Sequence, residues 1–184
     1  MNSSIEIERA FLLNERFLSK GLRELLYDKV APYTQIFQYY FMTSPRFEAR
    51  MRVYRKIEPQ IQPWKFELTF KIKLKNNSRR EINFNLPKWL GNLISKCRLT
   101  QYELFKERYV VPRQLWPGSN FKEVIIDRFP YSNNPDLRRG RIEIEFLEVD
   151  HIPINHCHLW VGDEITGQFQ YSNYAEAGIP KQKS

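Results

Sequence analysis

The stretch Ile5-Glu6-Ile7-Glu8-Arg9-Ala10-Phe11 decides how this chain is read. Its period is two, so in an extended strand Glu6, Glu8 and Ala10 share one face and the apolar residues share the other. A near copy returns late in the chain as Arg141-Ile142-Glu143-Ile144-Glu145-Phe146. Between them, Arg50-Met51-Arg52, Lys71-Ile72-Lys73 and Lys106-Glu107-Arg108 set basic side chains at the same two-residue spacing. If these charged faces converge, the carboxylates can hold a divalent metal and the cations an oligophosphate. The plainer alternative is a set of antiparallel strands whose charged faces lie in water. The segregation of sign argues against it, because a surface serving only solubility intersperses its charges.

The 184 residues are 42% hydrophobic and 15% aromatic, a composition that sustains a globular core. A formal charge of +8 favours an anionic partner such as a polyphosphate, a nucleotide or RNA. The opening Met1-Asn2-Ser3-Ser4 lacks a basic region followed by an apolar run, and no apolar stretch is long enough to span a bilayer. A cytoplasmic protein with no membrane association is expected. Cys97 and Cys157 are far apart and are read as free thiols. His156 and His158 flank Cys157, but they lack the spacing of a structural zinc site, as does His151.

Alternation predicts strands over 4–13, 35–42, 46–58, 64–75, 81–86, 98–111, 121–129 and 139–148. Asn76-Asn77-Ser78 reads as the turn of a hairpin. A helix is predicted over 14–28, with Asn14 as its cap and Leu22, Leu25 and Leu26 on one side, and a short one from Pro87 to about Lys96. Eight long amphipathic strands are best covered by closure, with one face turned into the lumen. The expected fold is therefore α+β: an eight-stranded antiparallel β-barrel with flanking helices, the apolar Ile142, Ile144 and Phe146 packing outside. Residues 1–178 are read as one domain, and 179–184 as a loose tail.

In this order the charged motifs resemble those of the CYTH superfamily, the triphosphate tunnel metalloenzymes. The family's opening Glu-x-Glu-x-Lys is matched by Glu6 and Glu8, its Gln-x-Tyr by Gln38 and Tyr40, its Arg-x-Arg by Arg50 and Arg52. Thr69 and Lys71, Arg79 and Glu81, Lys106 and Arg108, Asp127 and Phe129, and Glu143 and Glu145 match the motifs that follow. The closing segment is similar as Glu164-Ile165-Thr166-Gly167, followed by Tyr171 and Asn173. Nine weak motifs in the right order make a specific pattern, and the family's tunnel agrees with the strand count. Two positions depart from it: the lysine of the first motif is Ala10, and an acidic residue that often follows Glu81 is Asn83. Arg9 cannot replace that lysine, because a shift of one residue along a strand points to the opposite face.

The resemblance implies that Glu6, Glu8, Glu143 and Glu145, with Glu81 and Asp127 nearby, carry Mg2+ or Mn2+. It implies a phosphate clamp of Arg50, Arg52, Lys71, Arg79, Lys106 and Arg108, with Lys73 a lesser member and Tyr40 a hydrogen-bond donor to substrate or water. The leading expectation is a metal-dependent hydrolase of a triphosphate: inorganic tripolyphosphate, a nucleoside or thiamine triphosphate, or an RNA 5'-triphosphate. A class IV adenylyl cyclase is the second enzyme reading. A non-catalytic module that binds triphosphate, nucleotide or RNA is the third, and Ala10 is what keeps it open. Oligomeric state is not legible in the sequence.

Overall fold

The computed structural model describes residues 2–28, 32–44, 46–58, 60–73, 78–96, 102–116, 121–146 and 159–178; Cys97, Cys157, His151, His156, His158, the turn residues Asn76 and Asn77, and the tail from 179 lie outside them. All eight predicted strands are present: β1 (Asn2–Leu13), β2 (Tyr33–Thr43), β3 (Phe47–Ile57), β4 (Lys65–Lys73), β5 (Ser78–Leu86), β6 (Tyr102–Val110), β7 (Phe121–Arg128) and β8 (Arg141–Phe146). A ninth, β9 (Val161–Glu164), was not expected. The sheet is therefore nine-stranded, in the order β5-β4-β3-β2-β6-β7-β8-β1-β9, rather than the eight-stranded barrel read from the sequence. Val161-Gly162-Asp163-Glu164 has no apolar alternation to announce it. It becomes a strand by pairing with β1, Glu164 opposite Phe11 and Val161 opposite Leu13.

Strand β1 is the hub of the sheet. Its first half, Asn2 to Ile7, pairs antiparallel with β5, and Glu8 to Leu12 pairs with β8. The ladders fix which residues share the charged face, since opposite partners on antiparallel strands point the same way. Arg50 lies opposite Thr69 and Tyr40, Lys71 opposite Glu48 and Glu81, Asp127 opposite Arg108 and Arg141, and Glu8 opposite Glu145.

The other face carries the apolar set. Ile142, Ile144 and Phe146 join a buried cluster with Leu22, Leu25 and Leu26, so the segment after β1 covers the back of β8 as expected. That segment is not one helix. It opens with a 3-10 turn at Glu15–Phe17, forms α1 (Lys20–Arg23), and widens into a π turn over Glu24–Asp28. Ser19 rather than Asn14 is the cap of α1, its Oγ accepting from the Leu22 N–H at 3.3 Å. The break costs little, because all three leucines still reach the sheet and their burial supplies the stability. Two further short helices are α3 (Pro135–Arg139) and α4 (Asn173–Glu176). No helix among the described residues is long and apolar enough to cross a membrane.

Helix α2 (Lys88–Lys96) lies where Pro87 starts it, as predicted, and packs Ile94 near Met51, Val53 and Phe66. Its approach to β4 depends on Gly91: a Cβ there would fall 2.2 Å from the ring of Phe66, which is 6% exposed. Alanine is the better helix former by about 1 kcal/mol, but overpacking a buried ring costs about 1–3 kcal/mol, so the clash outweighs the propensity. Gly91→Ala is therefore expected to lower stability by up to about 2 kcal/mol. A urea denaturation midpoint equal to or above that of the wild type would show that α2 does not depend on this contact.

Candidate functional site

The charged face encloses a cavity of about 110 Å³ lined from seven strands. Glu8 comes from β1, Arg50 and Arg52 from β3, Lys71 from β4 and Glu81 from β5. Lys106 and Arg108 come from β6, Glu123 and Ile125 from β7, and Glu143 and Glu145 from β8; Asn173, at the start of α4, completes the wall. The faces that alternation marked on separate strands thus converge on one space.

On the wall made by β3, β4 and β5, charge is arranged around Glu81, which is 3% exposed. Lys71 Nζ pairs with its Oε2, and Arg50 Nη2 and Arg52 Nη1 each lie 3.9 Å from its Oε1. Burial would raise the Glu81 pKa, but Lys71, Arg50 and Arg52 together hold it far below the usual carboxylate range. Arg50, also 3% exposed, places Nη1 at 2.8 Å from Glu48, while Tyr174 donates to the same carboxylate. Nε and Nη2 of Arg50 have no hydrogen-bond partner. An arginine this buried with two donors unmet is prepared for an acceptor that arrives from outside.

The opposite wall is organised by Asp127, which has no exposed surface. Arg108 grips it with two parallel bonds of 2.7 Å, from Nε to Oδ1 and from Nη2 to Oδ2, and Lys106 Nζ donates to Oδ2. Arg108 Nη2 also reaches Glu143 Oε2 at 2.6 Å, and Arg141 donates to the other oxygen of Glu143. Lys106 is fully buried, and burial with the nearby Arg108 pulls its pKa down to about 7 even though Asp127 and Glu143 act the other way.

A third region collects carboxylates. Glu8 lies opposite Glu145 on the β1–β8 ladder, and Glu145 opposite Glu123 on the β7–β8 ladder. Lys122 donates to Glu145 at 2.7 Å. Glu123 has its pKa raised chiefly by burial; the pull of Arg108 opposes this, and Glu145 and Glu143 add to the rise against Lys122. Their oxygen donors are of the kind a hard divalent cation takes, although among the described residues no three His, Cys, Asp or Glu side chains stand together so as to hold a metal ion.

Of the residues nominated from sequence, Glu8, Arg50, Arg52, Lys71, Glu81, Lys106, Arg108, Glu143 and Glu145 line the cavity. Asp127 sits behind Lys106 and Arg108. Tyr40 is 2% exposed and packs with Leu104, Phe129 and Leu137, its hydroxyl accepting from Gln38. Glu6, Arg79 and Lys73 are placed by backbone register alone, Glu6 opposite Arg79 and Arg79 opposite Lys73, and their side chains lie outside the described set. Ala10 faces Glu143 across the ladder, so the cations beside that carboxylate are Arg108 and Arg141 rather than a residue of β1. Asn83 turns the same way as Glu81, its Oδ1 buried without a partner.

Sequence reading gave no site role to Glu48, Glu123, Arg141 and Asn173, although Arg141 opens the second Glu-Ile-Glu stretch and Asn173 ends the closing segment. The first three carry a usable signal: each lies on the charged face at an even offset from a nominated residue, two before Arg50, four before Asp127 and two before Glu143. Asn173 lacks that alternation and is marked only by its place in the closing segment, because α4 reaches the cavity through the fold.

No family model matches the chain, and no curated protein matches it in sequence. Solved structures do resemble it. Two crystal structures of NE1496, one of them named an inorganic triphosphatase, superpose with TM-scores of 0.53 at 21% identity; they cover 95% and 97% of this chain and 98% and 97% of theirs. A proposed adenylate cyclase from Bacillus halodurans, bh2851, gives 0.52 at 16% identity over 100% of this chain and 95% of its own. PH1819 from Pyrococcus horikoshii OT3 gives 0.50 at 15% identity over 79% and 80%. At such identities the likeness is one of fold, a fold shared with structures named an inorganic triphosphatase and a proposed adenylate cyclase.

Proposed function

We propose that this protein is a metal-dependent hydrolase of a triphosphate, acting inside the charged cavity. The observation that carries the reading is the convergence of Arg50, Arg52, Lys71, Lys106 and Arg108 on about 110 Å³, with Arg50 buried and two of its donors unmet. Five cations from three strands suit a short chain of phosphates rather than one anion. The extra β5–β1 pairing supports a sheet wrapped into a tunnel, the geometry that encloses such a chain. The similarity to NE1496 agrees with the reading without carrying it.

In this reading Glu8, Glu145 and Glu123 would hold Mg2+ or Mn2+, with Glu6 a further candidate two residues before Glu8 on β1. The ion would supply neutralisation of phosphate charge and a more acidic water at the site. Arg50 and Arg52 hold one side of the phosphate chain, and Lys106 and Arg108 the other. Their charge stabilises what builds up on the transferred phosphoryl group and on its leaving group. Glu81, Asp127 and Glu143 serve chiefly as counter-charges that aim these cations and keep them apart. Tyr40 supports Gln38 and the strand beneath Arg50 rather than touching the phosphates.

A screen for phosphate release from tripolyphosphate, thiamine triphosphate, nucleoside triphosphates and triphosphorylated RNA, with a parallel assay for cyclic nucleotide, tests the reading. Turnover of at least one triphosphate is expected, dependent on Mg2+ or Mn2+ and abolished by a chelator. Arg50→Ala is expected to lower kcat/KM by about 10²–10³, and Glu8→Gln to remove metal stimulation while leaving the fold. Hydrolysis indifferent to chelator and to Glu8→Gln would rule out the mechanism. Cyclic nucleotide formed together with pyrophosphate, without orthophosphate release, would replace it with a cyclase.

The counter-charge role has its own consequence for stability. Glu48, Glu81 and Glu143 have pKa values below 4.5 in the folded protein, and Asp127 below 3.8, because neighbouring cations outweigh burial. As pH falls, the unfolded chain takes up protons first. The stabilisation is complete above the unfolded values and is withdrawn as pH drops through about 4.5 towards the folded ones. The urea midpoint is expected to fall steeply below pH 4.5, and Glu143→Gln to be less stable at pH 7 with a flatter acid dependence. A midpoint that is level from pH 6 to pH 3 would contradict these assignments.

A further inference from the structure

Among the described residues, Asn173 is the one cavity-lining residue that comes from outside the sheet, and its orientation is fixed by a neighbour that can only donate. Arg141, 4% exposed, directs Nη2 to Asn173 Oδ1 at 2.9 Å and Nη1 to the Tyr171 carbonyl at 2.8 Å. A guanidinium has no acceptor, so the atom turned to it must be the amide oxygen, and the NH2 group is left on the other side. That group makes no hydrogen bond among the described residues. Arg141 itself is held in place by Glu143, whose carboxylate it shares with Arg108. Glu143 lies opposite Ala10 on β1, a residue with no polar side-chain group to offer it.

We propose that Asn173 is a phosphate-contacting residue, its carboxamide set by Arg141 so that the NH2 donates into the cavity, and that the segment around α4 thereby forms part of the ligand site. The inference rests on the triphosphate reading of that cavity. Arg141 is a positioning residue in this arrangement: it touches Glu143, Asn173 and the Tyr171 carbonyl, and it is not itself in the cavity wall. A neutral donor suits this place, since Arg108 and Lys106 already supply charge, and an amide aimed by a fixed partner loses little freedom when the anion arrives. The segment is fastened at further points: Tyr174 donates to Glu48, and Ser132 donates to Glu176 at 2.7 Å.

Two substitutions separate ligand contact from structural support. Asn173→Ala removes the donor without adding charge. Asn173→Asp keeps an oxygen for Arg141 but turns an acceptor to the phosphates. Tripolyphosphate binding is measured by calorimetry without added metal, beside thermal unfolding of each protein. The expected result is affinity weakened about threefold to tenfold in Asn173→Ala and more than about tenfold in Asn173→Asp, with the Tm of Asn173→Asp at or above wild type because its contact to Arg141 is kept. Wild-type affinity in Asn173→Ala, or in a folded Asn173→Asp, overturns the proposal. If the wild type itself fails to bind tripolyphosphate, the triphosphate reading falls and this inference falls with it, an outcome distinct from binding that is insensitive to residue 173. Arg141→Lys keeps the charge but cannot reach both Asn173 and the Tyr171 carbonyl. It is expected to reproduce most of the Asn173→Ala loss, and to leave little further loss when the two are combined; full additivity of the two overturns the positioning role of Arg141.

Discussion

The completely buried carboxylate of Asp127 sets the terms for this structure. A lone charge at that depth would be prohibitive, and it is tolerated because Arg108 and Lys106 satisfy both oxygens from the adjacent strand. The register of β6 against β7 follows from this, since a slip of one residue would turn the cations to the apolar side and leave the carboxylate unpaired. Glu81 does the same on the opposite wall with Lys71, Arg50 and Arg52. Each wall is thus a local balance of charge, and the cavity is the space between two balanced walls.

Such balance adds little to net stability, because desolvating the ions offsets most of their attraction. The stability resides on the other face, where Leu22, Leu25, Leu26 and the aliphatic row of β8 exclude water. The division of labour is strict by strand parity: odd and even positions of the same strand answer to different physics. It also explains how a chain with a formal charge of +8 can bury cations such as Arg50 and Lys106. They are buried among carboxylates, while the apolar face supplies the free energy that holds them together.

The balance is uneven across the cavity, and the unevenness has chemical meaning. Arg50 keeps two donors unmet and Glu123 sits among carboxylates with its pKa raised, so one region invites negative charge and another invites positive charge. A metal-bound phosphate chain carries both. A departure such as Ala10 changes how the balance is met more than whether it is met, because Arg141 reaches the carboxylate that Ala10 faces.

The sequence alone determined the strands and their two faces, because alternation is a local property and a strand has only two sides. It also nominated nine of the residues that line the cavity, eight from charges repeated at strand spacing and Glu81 from the resemblance of its motif. It did not determine β9, whose four residues carry no pattern and become a strand only beside β1. Nor did it separate carboxylates that neutralise cations, such as Asp127 and Glu81, from those that gather together, such as Glu8, Glu123 and Glu145. That distinction depends on which strands lie side by side, and pairing between distant segments is decided by the tertiary structure. Asn173 is the clearest case: the closing segment marks its position but not its role, and only the docking of α4 beside Arg141 brings its amide to the cavity.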